Sequence, residues 1–74
     1  MPEWRVLSGR EVCAILEGQG FVLVRQRGSH MIMQRKVSRG TTTVPVPNDR
    51  ELAIGTLRAI VRQSGVEAHL FQAG

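Results

Sequence analysis

The sequence predicts an α+β fold in which a helix, three consecutive strands and a second helix follow one another. The strands form an antiparallel sheet with both helices on one face. Three observations carry this. Apolar residues recur at helical spacing after Ser8 and again after Ile54. Between them, Phe21 to Val46 is rich in β-branched residues and in alternations that suit strands. That stretch is broken at Gly28-Ser29 and at Ser38 to Gly40, which divides it into three. The 74 residues make one domain, 1–74. A chain this short buries only about 60% of its unfolded surface, so its core is thin. The single cysteine, Cys13, excludes an intrachain disulfide, and no Cys/His cluster suggests a structural zinc. A well-formed sheet or a partner chain is then the expected support.

The first helix spans Ser8 to Gly20. Ser8 as N-cap and Glu11 at the third helical position form a capping box, and Leu7 with Val12 a hydrophobic staple. Val12, Ile15 and Leu16 make the apolar stripe, and Gly18 and Gly20 close the helix in the left-handed conformation. Cys13 fits a small buried or half-buried side chain. Phe21 to Arg27 and His30 to Lys36 are the first two strands, joined by Gly28-Ser29. Glycine at the first central position suits a type II′ hairpin turn. That register sets Arg27 opposite His30, Arg25 opposite Ile32 and Val24 opposite Met33.

The register sorts the hairpin into two faces. Val22, Val24, Gln26, Met31, Met33 and Arg35 share the face expected to pack on the helices. Phe21, Leu23, Arg25, Arg27, His30, Ile32, Gln34 and Lys36 share the open one. Phe21, Leu23 and Ile32 are apolar on that wetter side. A one-residue slip would bury them, and His30 with them. Thr41 to Val46 is the third strand, and Pro45, which cannot donate to a ladder, places it at an edge. Pro47 to Asp49 is a loop, and Arg50 to Ala53 a polar approach to the last helix. That helix runs from Ile54 to Ser64, with Leu57, Ile60 and Val61 as its stripe and Gly65 as C-cap. Arg58 and Arg62, four apart, point outward together. The tail is expected to make a short turn around Leu70-Phe71 and then fray. Trp4 is expected to plug the core. The element order is that of the double-stranded RNA-binding domain.

Ten basic residues against six acidic ones give a net charge of +4. No Asp or Glu occurs between Glu17 and Asp49, while Arg25, Arg27, Arg35, Lys36 and Arg39 all lie in that gap. Such a stretch is the electrostatic footprint of a phosphate backbone. It equally fits an acidic protein partner or a solvated face. The N-terminal residues lack the apolar run of a signal peptide, and nothing approaches the roughly 18 apolar residues needed to span a bilayer. With one cysteine, a reducing cytoplasm is the expected compartment.

Three segments carry a family resemblance. They are Gly18 to Gln26; Gly28-Ser29-His30 with the apolar strand after it; and Thr43-Val44-Pro45-Val46, Glu51-Leu52, Gly55-Thr56-Leu57-Arg58 and Ile60 through Gly65. In these the chain resembles the HicA family, the toxin half of a bacterial toxin–antitoxin pair, over roughly residues 8 to 66. The resemblance implies a double-stranded-RNA-binding-domain-like fold and endoribonuclease activity on messenger RNA. It also implies a HicB antitoxin that covers the active site, and it maps the family's catalytic histidine onto His30. Many relatives carry a second histidine after the Val-Pro-Val, where this chain has Pro47. Many have proline before the Gly-Thr-Leu, where it has Ile54.

The chemistry suits these residues. RNA carries its own nucleophile, the 2′-hydroxyl. Histidine, with a free side-chain pKa near 6.5, suits the proton transfers. Arginine offers phosphate oxygens a planar fork of donors. His30 is therefore the candidate general acid or base and Arg27 the candidate transition-state clamp, with no metal or other cofactor required. Arg25, Ser29, Arg35, Lys36, Arg58 and Arg62 are candidates for RNA contact. Ser29 or a water is available for the second proton-transfer role. On the residues alone, His30 also fits a residue that merely caps the hairpin, and Arg58 and Arg62 also fit acidic antitoxin residues or plain solvent. A non-catalytic RNA-binding module and a protein-interaction domain with a basic face remain as alternatives.

Overall fold

The computed structural model describes residues 3–73. Its elements are β1 (Glu3–Trp4), α1 (Gly9–Glu17), β2 (Val22–Arg27), β3 (His30–Val37), β4 (Gly40–Pro47) and α2 (Ile54–Ser64), then a 3-10 turn (Ala68–Phe71) and β5 (Gln72–Ala73). The strands β2-β3-β4 form an antiparallel sheet in that order. This is the expected α-β-β-β-α arrangement of the double-stranded RNA-binding domain.

The capping box at α1 forms as the sequence requires. The Glu11 amide donates to Ser8 Oγ at 3.1 Å, and the Ser8 amide donates to Glu11 Oε1 at 2.8 Å. The Ser8 amide, and after it the Ser8 hydroxyl, hold the Glu11 carboxyl below its usual value by hydrogen bonding to its charged form. Gly18 keeps a helical φ of −62°, so the left-handed closure falls to Gly20, at φ 92°. Helix α2 ends on Gly65 at φ 71°, whose amide donates to the Val61 carbonyl.

The core lies between the inner sheet face and the two helices. Val12 and Leu16 of α1, Leu57 and Ile60 of α2, Met31 and Met33 of β3, and Val44 and Val46 of β4 are buried together. Cys13 is buried among them, with its sulfur 3.9 Å from that of Met31.

Two expectations are corrected. The first concerns β2. Arg27, Gln26 and Arg25 pair with His30, Met31 and Ile32 as the turn dictates, but Leu23, not Val24, then pairs with Met33, and Val22 pairs with Gln34. Val24 is a bulge, an extra residue that the ladder skips. Below it the strand is out of phase by one. Val22 therefore shares the outer face with Gln34, Leu23 joins the inner side opposite Met33, and Phe21 is buried. The bulge does for Phe21 what a slip of the whole strand would do, and it leaves His30 where the turn put it.

The second correction concerns the tail. It does not fray after Phe71. Phe71 is fully buried, and β5 pairs antiparallel with β1, Glu3 with Ala73 and Trp4 with Gln72. The Arg5 amide donates to the Phe71 carbonyl at 3.0 Å. The two chain ends thus close over the core together, with Trp4 packed against its margin. Leu52, in the approach to α2, is also buried, and its amide donates to the Leu7 carbonyl.

Candidate active site

The β2–β3 turn brings two candidate residues face to face. Gly28 has φ 57° and Ser29 has no positive φ, which fits the II′ turn that a Gly-Ser pair favours. Arg27 and His30 are therefore the pair that closes the hairpin. On the other side of His30, across β4, stands Pro47. Strand alternation puts His30, Ile32, Gln34 and Lys36 on the outer face, because Met31 and Met33 between them belong to the core. Arg27 and Arg25 share that face as the partners of His30 and Ile32.

Arg27, His30, Ile32 and Pro45 line a shallow depression of about 340 Å³. Ile32 is only 6% exposed although it faces away from the core. Arg25 and Pro45 flank it on the neighbouring strands. Its burial gives the depression an apolar floor, against which a flanking charge is less screened than in open water. His30 itself is exposed at the rim.

The tip is braced from three directions. The Asn48 amide donates to the Ser29 carbonyl at 2.7 Å, tying the end of β4 to the hairpin turn. The Gln26 side chain donates to the Gly28 carbonyl at 3.2 Å. From below, the Gly9 amide donates to the Asp49 carbonyl at 2.9 Å. There the first turn of α1 presses so close that a Cβ on Gly9 would overlap the Pro47 carbonyl. A histidine on a two-residue turn is thereby held on a fixed platform rather than on a free loop.

A family model described as the HicA toxin of bacterial toxin-antitoxin systems matches residues 9–66. The chain belongs to the HicA toxin family. No curated protein matches it significantly. The matched span takes in both helices, the whole three-stranded sheet and the depression at His30. As a HicA toxin the chain is one half of a toxin–antitoxin pair, in a family whose toxins generally act as RNases and pair with a HicB antitoxin.

In this HicA toxin the remaining candidate residues fall in different places. Arg25 adjoins Arg27 on the outer face, two residues along β2. Ser29 sits in the turn beside His30, with its carbonyl engaged by Asn48. Arg35 is turned inward. Its Nη1 donates to the Gln19 carbonyl at 3.0 Å, its Nη2 donates to the Ser64 carbonyl at 3.1 Å, and its guanidinium lies over the Phe21 ring. The fold itself uses that guanidinium. Lys36 is on the outer face but six residues from His30, about 20 Å along a strand. Arg58 and Arg62 are exposed on α2, in the helical layer behind the sheet. The structure thus brings together Arg27, His30, Arg25 and Ser29, and separates them from the other four.

Ile32 and Pro45, the rest of the depression, were not singled out by residue chemistry, since neither carries a polar group. Strand alternation was the signal that could have found them: each lies two residues from a member of the His30–Pro47 pair. Gly9 and Asn48 gave no signal, because their contacts cross between elements distant in sequence.

Among the described residues no group of three or more His, Cys, Asp or Glu side chains is placed to hold a metal ion. No helix among them is long and apolar enough to cross a membrane.

Proposed function

We propose that this HicA toxin is an endoribonuclease that cleaves messenger RNA, with His30 as general acid or base and Arg27 as the clamp on the phosphate. The observation that carries this reading is the pairing of Arg27 with His30 at the mouth of the hairpin, on an exposed and braced face. The substrate's 2′-hydroxyl attacks the adjacent phosphorus, the bond to the 5′-oxygen breaks, and the products end in a 2′,3′-cyclic phosphate and a 5′-hydroxyl. His30 takes the proton from the attacking hydroxyl or returns one to the leaving oxygen. Such transfers contribute about 10² to 10⁴ in rate. Arg27 donates to the phosphate oxygens as charge builds on them. Arg25 extends the cationic face along the RNA, and Ser29 or a water serves the second proton transfer. The nucleophile belongs to the substrate, so proton transfer and charge stabilisation suffice and no metal is needed. The HicB antitoxin silences the site by covering it, and the reaction takes place in the cytoplasm, where messenger RNA is found.

The test is cleavage of an RNA transcript by the parent, His30→Ala and Arg27→Ala, with circular dichroism to check folding and chelator present throughout. His30→Ala loses at least a hundredfold in rate, Arg27→Ala loses tenfold or more, and the products carry cyclic phosphate ends. Parental cleavage by a folded His30→Ala chain would overturn the assignment. Salt-sensitive RNA binding without any cleavage by the parent would instead identify a non-catalytic RNA-binding module.

A further inference from the structure

The end of the outer sheet face remote from His30 carries a feature that RNA cleavage does not use. Val22 and Val24, 58% and 41% exposed, line a groove of about 640 Å³ together with Gln34, Lys36 and Thr41. The bulge creates it. By skipping Val24, the ladder turns Val22 outward beside Gln34, so two valines line a face where strict alternation from the turn would place Leu23 and neither valine. Beside the groove runs the outer edge of β2, which among the described residues pairs only with β3 and whose six residues are all exposed. An exposed strand edge with an apolar run is a template for another chain, and natural proteins usually blunt it with charge. Here the charges on the strand, Arg25 and Arg27, are of one sign.

We propose that this groove and the β2 edge form the docking site for an extended, acidic segment of the antitoxin, which seats an apolar side chain between Val22 and Val24 and sets carboxylates against Lys36 and Arg25. The proposal rests on the family reading, since that reading supplies the partner. Charge selects the occupant. From residue 18 to residue 48 the chain has no acidic residue, so a second copy paired along β2 would bring two arginine-bearing strands together with no carboxylate between them. An acidic segment meets complementary charge at Arg25 and Arg27 on the strand and at Lys36 beside the groove. RNA is disfavoured by the groove's character, because Val22 and Val24 give it an apolar side and, although Arg35 and Lys36 also line it, it carries no aromatic ring for a base to stack on. Docking there would leave the antitoxin anchored about 20 Å from His30, the span of six strand residues. Anchor and active-site cover would then be separable parts of one interface.

The experiment uses full-length toxin carrying His30→Ala and the antitoxin encoded beside it, with affinity measured by calorimetry. Into that background go Val22→Lys with Val24→Lys, and separately Lys36→Glu; thermal melting checks the fold of each. The double lysine variant, which keeps the basic character of the face, loses at least tenfold in affinity. Lys36→Glu loses threefold or more, and the parental affinity falls as salt rises. Unchanged affinity in both folded variants overturns the proposal. So does a defect of the double variant confined to binding of an RNA oligonucleotide, which would make the groove an RNA subsite. Loss of a self-association that the parent shows in sedimentation would instead mark it as a contact between copies, and would equally overturn the proposal. If the His30→Ala parent fails to bind the antitoxin at all, the pairing itself has failed, an outcome distinct from failure of the groove.

Discussion

The Arg35 guanidinium lies over the Phe21 ring, 4.6 Å from its centroid, and from there reaches the C-terminal ends of both helices. Helix C-termini carry unsatisfied carbonyls and the negative end of the helix dipole. The Ser64 carbonyl is such a group and the Gln19 carbonyl lies in the turn that closes α1, and one planar cation satisfies both. Phe21 is in position only because the Val24 bulge turned it inward. Arg35 thus joins the central strand, the end of α1 and the end of α2 at a single point. Lysine could not do this, since its ammonium is a single point of charge where Arg35 presents a fork.

Arg35→Ala should therefore cost about 2 kcal/mol, less than the full sum of two charged hydrogen bonds and a cation–π contact because solvent reaches part of the guanidinium. For a domain of this size that lowers the melting temperature by roughly 10 °C. Arg35→Lys should recover less than half of the loss. At a temperature where each variant is folded, the KM for RNA should match that of the parent. A raised KM with unchanged melting would show that Arg35 serves RNA instead of the fold.

Gly9→Ala tests the brace under the active site. The added Cβ would overlap the Pro47 carbonyl oxygen and stand 3.1 Å from the Asn48 Cα, and both are backbone that cannot swing aside. Overpacking of this kind costs about 1–3 kcal/mol. The damage should not be confined to stability. Any shift of Pro47-Asn48 strains the bond from the Asn48 amide to the Ser29 carbonyl, and with it the position of His30. We expect kcat to fall along with the melting temperature. A comparably destabilising substitution in α2, Ile60→Val, should leave kcat unchanged.

What the sequence made legible followed from local chemistry. The capping box, the II′ turn, the Arg27–His30 pair and the Gly65 cap each depend on residues within a few positions of one another, and each forms. The bulge did not announce itself. Val24 is a good strand residue, and only the competition between the turn register above it and the burial of Phe21 below it forces the ladder to skip one. The β1–β5 pair was invisible for another reason. Two-residue strands from opposite chain ends carry too little pattern to detect, and their pairing depends on the core that Phe71 completes. Arg35 was placed on the inward face correctly, beside Met31 and Met33, yet its basic charge suggested RNA. Its partners, Gln19 and Ser64, lie 16 and 29 residues away and appear only once the helices are packed.

Cys13 gives a prediction with a definite sign in pH. Burial is the main cause that pushes its thiol pKa up, the Glu17 carboxylate adds to it, and Arg10 opposes it. The folded state therefore holds the proton more tightly than the unfolded chain. The resulting stability is fully present below the unfolded thiol's pKa, about 8.5, and is lost as pH rises through the raised folded value. The urea midpoint of the parent should fall between pH 7 and pH 10 relative to that of Cys13→Ala. Iodoacetamide should label native Cys13 at least a hundredfold more slowly than the urea-unfolded chain, because the thiolate is the reactive form and the sulfur is buried against Met31. Fast labelling of the native chain would show that α1 opens readily from the sheet.

Pro47 is the position at which the catalytic proposal can be tested by gain instead of loss. It is the β4 partner of His30, and Pro45, two residues before it on the same face, already lines the depression. Side chains at paired positions of an antiparallel ladder have Cβ atoms about 4.5–5.5 Å apart. A histidine at position 47 would stand across one phosphate from His30, with Arg27 on the far side. One imidazole could then take the proton from the 2′-hydroxyl while the other gave one to the leaving oxygen, a division of labour that a lone histidine cannot achieve in one step. Pro47→His leaves the carbonyl that faces Gly9 in place, so the brace is kept. We expect kcat for RNA cleavage to rise at least tenfold and the pH–rate profile to become bell-shaped, as it does when one group must be protonated and another not. In the His30→Ala background the same substitution should restore little, because the new histidine again acts alone. A rise of equal size in both backgrounds would show that position 47 works independently of His30, and the paired mechanism would fall.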